Sequence, residues 1–401
     1  MSTLHPLGFA RSREAGTVAL WVMLALFVLG LGSLLYGLNS ETAALDFGVL
    51  TASFLYLLGI SQAGVVFCAI TRIVKAQWAK PYYRLAEFTT LAFAPFAIGV
   101  FLLLFFFARE DLFYWLSPDP EAHLSPWLDL NWLLIRNLLG LLAFYGLSAV
   151  YVLKALGPDL AAGSTDADTT DHRAVERQLY LLSPWVIIAF ILCNTLLSWD
   201  FAMMLIPHWH STVFPIYFWF GSLFAGCAAL IVFPAVLGRS ATGDVPFGPD
   251  QVRNLGMMVT AFTLLWLYFF WAQFFVIWFG NLEHESEPLW RQMYGHYGPY
   301  FWTMMAGCFF VPFVAFLFAI VKRSLFLMCI ISFGINLGIW ISKYLMVVPA
   351  LSPDNQPFSS VPDIGLAVGM VAGFIAIIIW CAGRYPMYSQ WEMRLKPVPR
   401  H

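Results

Sequence analysis

The sequence predicts an all-α integral membrane protein that crosses the bilayer ten times, with both termini cytoplasmic. Three observations predict it. Of 401 residues, 60% are hydrophobic and only 11% are charged, whereas a soluble domain carries about 25% charged residues. Apolar runs of the roughly 20 residues needed to cross a bilayer core recur along the whole chain. Lys and Arg gather in alternate loops, as they do where positive loops stay on the cytoplasmic side.

The runs fall at 17–38, 47–70, 86–108, 131–154, 181–203, 213–238, 255–279, 299–321, 324–348 and 364–383. Pro95, Pro184, Pro215, Pro234 and Pro312 lie inside them, where neighbouring helices can satisfy the freed backbone groups. No charged segment with a small-residue cleavage site precedes the first run, so no removable signal peptide is expected. The net charge of −2 identifies no partner, and none of nucleic acid is expected.

Orientation follows from the cations. With the N-terminus inside, Arg11 and Arg13 precede span one, and Arg72, Lys75, Lys80 and Arg84 join spans two and three. Lys154, Arg173 and Arg177 flank spans four and five, Arg239 and Arg253 spans six and seven, and Lys322 and Arg323 spans eight and nine. Arg384, Arg394, Lys396 and Arg400 follow span ten. Outer loops hold only Arg109 and Arg291, while Arg136 and Lys343 fall inside spans. The longest stretches between spans are too short for an appended soluble domain. That at 157–171, rich in Gly, Asp and Thr, reads as a flexible connector.

The expected division is 1–46 (tail and flanking span one), 47–212 (a first four-helix bundle, spans two to five), 213–348 (a second, spans six to nine) and 349–401 (flanking span ten and a cytoplasmic tail). Both bundles would begin outside, so any relation between them is a parallel repeat about the membrane normal. Asp200 and Lys343 each precede an outer proline, Pro207 and Pro349, by about two helical turns; chance explains this as well as descent does.

Cysteine usage restricts the chemistry. All six cysteines lie in spans and none forms Cys-x-x-Cys, the spacing typical of iron-sulfur and covalent haem sites. No histidine lies deep in a span, so a bis-histidine b-type haem is not expected either. Electrons, if handled, pass through a bound organic carrier or a partner. No metal site is expected.

Ionisable groups inside the bilayer are costly and mark function. Arg136, Asp200, Lys343 and Gln273, with Tyr268, share an outer layer drawn from both bundles. The alternative is that Arg136 and Lys343 snorkel to the headgroups. His208 and His210 follow in an outer loop around Trp209, open to three readings: proton or quinol chemistry beside a carboxylate, a metal site with Asp200, or an interfacial anchor. Glu87, Gln62, Asn194 and Asn336 extend towards the inside, as a water-linked proton path or as separate helix–helix hydrogen bonds.

Three motifs resemble one family. The segments Ser198-Trp-Asp-Phe-Ala, Pro207-His-Trp-His-Ser-Thr-Val-Phe-Pro and Tyr217-Phe-Trp-Phe-Gly-Ser resemble the signature of NrfD/PsrC-type quinol-interacting membrane subunits. Gln273-Phe-Phe-Val-Ile-Trp-Phe-Gly-Asn-Leu, with Glu283, Glu285 and Arg291 following, and Trp78 to Arg84-Leu-Ala-Glu87, are similar to membrane subunits of alternative complex III. The length matches the shorter, ActF-like kind. The resemblance implies a bacterial inner-membrane subunit of a quinol:electron acceptor oxidoreductase, with no redox centre of its own. It also implies quinone or menaquinone as carrier, with iron-sulfur clusters and haem c confined to partner subunits. Those partners would be an ActC-like membrane paralogue, periplasmic iron-sulfur and cytochrome c subunits and, in some assemblies, a terminal oxidase, all embedded in lipid. Asp200 takes the motif aspartate position, and Asn281 and Glu283 a Gly-Asn-Leu-Pro-Glu-like stretch. The chain departs from the pattern at His284, at Gln62 where the quinol-binding paralogue tends to have histidine, and at Ser342-Lys343 where a Glu-Arg pair is common. These departures move the expectation from quinol oxidation towards proton conduction or a structural role. The alternatives are a stand-alone transporter of a small anionic solute and a purely structural anchor.

Overall fold

The computed structural model describes residues 13–37, 43–116, 125–161, 171–207, 209–237, 248–280, 283–352, 357, 361–385 and 387–394. Every regular element among them is helical, and ten segments are long and apolar enough to cross a membrane. They are α1 (Arg13–Gly37), α2 (Ala43–Ile73), α3 (Tyr83–Phe107), α4 (Leu130–Ala161), α5 (His172–Phe201), α6 (Phe214–Leu237) and α7 (Pro249–Gly280). Then come α8 (Gly298–Met305, continued by Ala306–Phe310 and Val311–Leu317), α9 (Leu325–Leu351) and α10 (Val361–Arg384).

Helices α2, α3, α4 and α5 close one ring, and α6, α7, α8 and α9 close a second. The rings meet where α2 packs on α6 and α9 and α5 packs on α6. Of the most apolar window of α2, 89% is buried, against 11% for α1. α2 is therefore the central post, and α1 faces lipid on most sides.

What holds α1 is α10. A Cβ added to Gly369 would lie 2.5 Å from the Cα of Gly30, so the two backbones touch. Gly365, Gly369 and Gly373 recur every four residues on the α10 face that meets Ser33, Gly30 and Phe27 of α1. In lipid, where apolar side chains gain nothing by leaving the solvent, such close backbone approach supplies the packing. Gly369→Val should cost about 1–3 kcal/mol as an overpacked contact, read by thermal unfolding in detergent; an unchanged transition would refute the close approach.

Local signals set the helix ends. Asp171 caps α5, its Oδ1 accepting from Arg173 N at 2.9 Å and Ala174 N at 3.3 Å. α2 ends in a Schellman turn: Ala76 N donates to Thr71 O at 2.8 Å and Lys75 N to Arg72 O at 3.1 Å, with Lys75 at φ 54°.

Two elements differ from the hydropathy reading. α4 continues to Ala161 and α5 starts at His172, against 154 and 181, because these added turns are polar but pack on the bundle. The eighth span is not one regular helix to 321. It passes through a π-turn at Ala306–Phe310, ahead of Pro312, and stops at Leu317 before a short helix at Ala319–Arg323. The proline ring cannot accommodate the regular carbonyl ladder, and a wider turn relieves it.

Candidate functional site

Polar side chains in the first ring form a file along the bundle, in three groups. Taking as outer the side that the Lys and Arg distribution predicts, the outermost is built on Asp200, near the C-terminal end of α5 and 2% exposed. Its Oδ2 accepts from Arg136 Nε at 2.7 Å and Asn137 Nδ2 at 2.5 Å, and its Oδ1 from Arg136 Nη2 at 2.6 Å and Trp127 Nε1 at 3.0 Å. The guanidinium lies 4.1 Å from the centroid of the Trp127 ring and donates from Nη1 to Trp127 O at 2.9 Å. Two parallel N–H···O bonds fix a carboxylate more rigidly than a point charge does. Arg136 therefore does not snorkel: its side chain is 10% exposed and turned towards the bundle.

The middle group joins α2, α3, α4 and α5. Asn194 Nδ2 donates to Gln62 Oε1 and to Phe190 O, and Gln62 Nε2 donates to Cys193 Sγ at 3.4 Å. Ser61 Oγ donates to Thr90 O at 3.0 Å and shares a hydrogen bond with Tyr145 OH at 3.0 Å. Thr90 Oγ1 donates back to Ser61 O at 2.6 Å. Gly64 permits this, since a Cβ there would lie 2.2 Å from Ala86 O.

The inner group is a pair of arginine-centred triads. Arg84 Nη1 donates to Glu87 Oε2 at 2.7 Å and its Nη2 to Asp159 Oδ2 at 2.5 Å. Arg72 donates to Glu176, to Glu392 at 2.5 Å, and from Nε to Tyr151 OH at 2.9 Å. Arg72, Arg84, Glu87 and Glu392 have side chains at most 1% exposed.

Between the groups lie orphaned polar atoms. Asn137 Oδ1, Asn194 Oδ1, Ser148 Oγ and Glu87 Oε1 are buried without a hydrogen-bond partner among the described residues. Buried polar atoms of this kind are where ordered water binds. Asn194 and Asp200 are six residues apart on α5, about 9 Å along a helix, so water is needed to join the outer group to the middle one. Glu87 lies one turn inward of Thr90 on α3.

The other candidates lie elsewhere. Asn336 accepts from Tyr56 OH at 3.0 Å and donates to Ser332 O at 2.9 Å, tying α9 to α2. Lys343 does not snorkel and meets no carboxylate among the described residues: it is 2% exposed, its Nζ donates to Phe218 O at 3.2 Å, and that ring's centroid is 3.0 Å away. Gln273 is buried on α7 in the second ring, and Tyr268 faces outward at 62% exposure. The outer layer is thus not one cluster; Asp200 and Arg136 belong to the first ring alone. Trp209 is buried against Phe214, at 5.0 Å between ring centroids, rather than standing out as an interfacial anchor. His210 is exposed. His208, Asn281, the side chains of Glu283 and His284, and most of the connector at 157–171 lie outside the described residues.

A buried amine without a counter-ion is a net cost that an isosteric apolar group avoids. Lys343→Met should therefore leave thermal stability unchanged or raise it; a large loss would reveal a charge partner.

The sequence places Arg72 and Arg84 among the loop cations, Arg84 also within a family-like motif, and singles out none of Asn137, Asp159, Glu176 and Glu392. The Arg84–Glu87 spacing of three on one helix was a usable signal. Nothing in the sequence points from Arg72 to Glu392, 320 residues away.

No curated protein matches the chain. The sequence profile of the family described as polysulphide reductase, NrfD, matches residues 37–352, which takes in all four helices of both rings. The chain belongs to the NrfD family, whose members are membrane subunits of quinol-linked oxidoreductase complexes and partner with the other subunits of those complexes.

Proposed function

We propose that the chain is the proton-conducting membrane subunit of a bacterial inner-membrane quinol:electron acceptor oxidoreductase of the alternative complex III type. The observation that carries this reading is the polar file of the first ring, which draws on all four helices of an otherwise apolar bundle. Polar groups inside a membrane bundle are expensive and mark ion and proton routes.

Each group has a role. Glu87, with one carboxylate oxygen on Arg84 and the other unpartnered among the described residues, takes and releases the proton at the inner end. The Ser61 and Tyr145 hydroxyls and the Gln62–Asn194 amide pair relay it with intervening water. Asp200, held by Arg136, Asn137 and Trp127, closes the outer end of the route. Quinol is oxidised at the periplasmic side of the complex, and Gln62 in place of histidine favours proton handling over quinol oxidation in this subunit. Iron-sulfur clusters and haem c belong to periplasmic partner subunits, and an ActC-like paralogue lies alongside in the membrane.

The test is Glu87→Gln in the assembled complex reconstituted in liposomes. Loss of a positioned proton carrier should lower proton translocation per electron at least about tenfold, with electron transfer from quinol retained under uncoupled conditions. An unchanged proton-to-electron ratio would sink the reading.

A further inference from the structure

The short helix Gln390–Arg394 lies beyond the stretch that the family profile matches, yet it closes the inner end of the file. Trp391 is 3% and Glu392 1% exposed. Trp391 Nε1 donates to Ala155 O at 2.9 Å and its backbone N to Asp159 Oδ1 at 3.4 Å, and its ring stacks on His172 at 5.7 Å. Glu392 Oε1 accepts from Arg72. Adjacent residues of one helix thus join the two triads, Trp391 at Asp159 of one and Glu392 at Arg72 of the other.

This closure alters the charge balance. Glu87, Asp159, Glu176 and Glu392 face Arg72, Arg84 and Lys80, which is half-buried and within electrostatic reach of Glu176 and Glu392. Among the described residues, four carboxyl groups stand against three cations; without Glu392 the count is even. Of the remaining titratable neighbours, Tyr83, Tyr151 and Cys68 are neutral in their ordinary forms near pH 7, and His172 stacks on Trp391. Three atoms of the cluster, Glu87 Oε1, Arg84 Nε and Glu392 Oε2, are buried without a hydrogen-bond partner among the described residues.

We propose that Glu392 makes this cluster a proton-binding site, its surplus carboxylate balanced by one exchangeable proton held at Glu87. Glu392 acts as a positioning residue: it touches Arg72, not the proton, and sets the charge against which Glu87 is protonated. The inference rests on the proton-conducting reading and extends it to a residue outside the family's matched span.

The experiment is infrared spectroscopy of the assembled complex at neutral pH, reading the protonated-carboxyl band that shifts in heavy water. Glu392→Gln and Glu87→Gln should each abolish the exchangeable component, and Glu392→Asp should retain it. Lys80→Gln, at the half-buried rim, should enlarge it, and this decides the matter if Glu392→Gln does not assemble. A band that survives Glu392→Gln but not Glu87→Gln overturns the role of Glu392 and leaves the proton path standing. A band unchanged in Lys80→Gln, or absent from the wild type, overturns the charge count. Proton flux undiminished in Glu87→Gln overturns the path itself, whatever the band does.

Discussion

Asp200→Ala should destabilise the protein by about 3–5 kcal/mol, the usual cost of removing one partner of a buried ion pair. The variant strands the Arg136 guanidinium, 10% exposed, with two of its N–H groups unpaired, and frees the Asn137 amide and the Trp127 indole N–H. The measurement is reversible unfolding in detergent, with the double variant Asp200→Leu/Arg136→Met as control. Replacing both charges by apolar groups should recover most of the loss, because the penalty lies in the uncompensated charge. A single variant within about 1 kcal/mol of wild type would match an exposed pair and return Arg136 to the headgroup layer.

Arg84→Met should have an effect at least as large, about 3–5 kcal/mol or failure to assemble. Arg84 is 0% exposed and holds two carboxylates, Glu87 and Asp159, at 1% and 4% exposure. Without it both acids remain in a closed site, where Asp159 still accepts from Trp391 N. Adding Glu87→Leu and Asp159→Leu should restore much of the stability while abolishing proton translocation. Restored stability with intact translocation would show that the inner triad is structural and nothing more.

The membrane class was legible because it depends on local quantities. Run length and hydropathy decide whether a segment can leave water, and each of the ten predicted runs corresponds to a membrane-length helix, with ends displaced by up to nine residues. The extensions of α4 and α5 were hidden for the same reason: their inner turns carry Asp159, His172 and Glu176, which lower local hydropathy while packing against the bundle. The motif aspartate stood out as a short ionisable side chain in an apolar run, too short to reach water. Its partner did not, because Arg136 is long enough either to snorkel or to turn inward, and only the position of α5 beside α4 decides which. Lys343 shows the converse: its sequence context equals that of Arg136, yet it meets an aromatic ring and a carbonyl.

The sequence by itself therefore determined what this protein dissolves in, how many times it crosses, and that Asp200, Arg136 and Lys343 lie within apolar runs. The tertiary structure decided which of those groups meet. Transfer free energy is a sum over neighbouring residues along a chain and can be read in order. The pairing of Arg72 with Glu392, or of Gln62 with Asn194, depends on how four helices close into a ring, and Coulombic and hydrogen-bond energies act over a few ångströms of space whatever the separation in sequence.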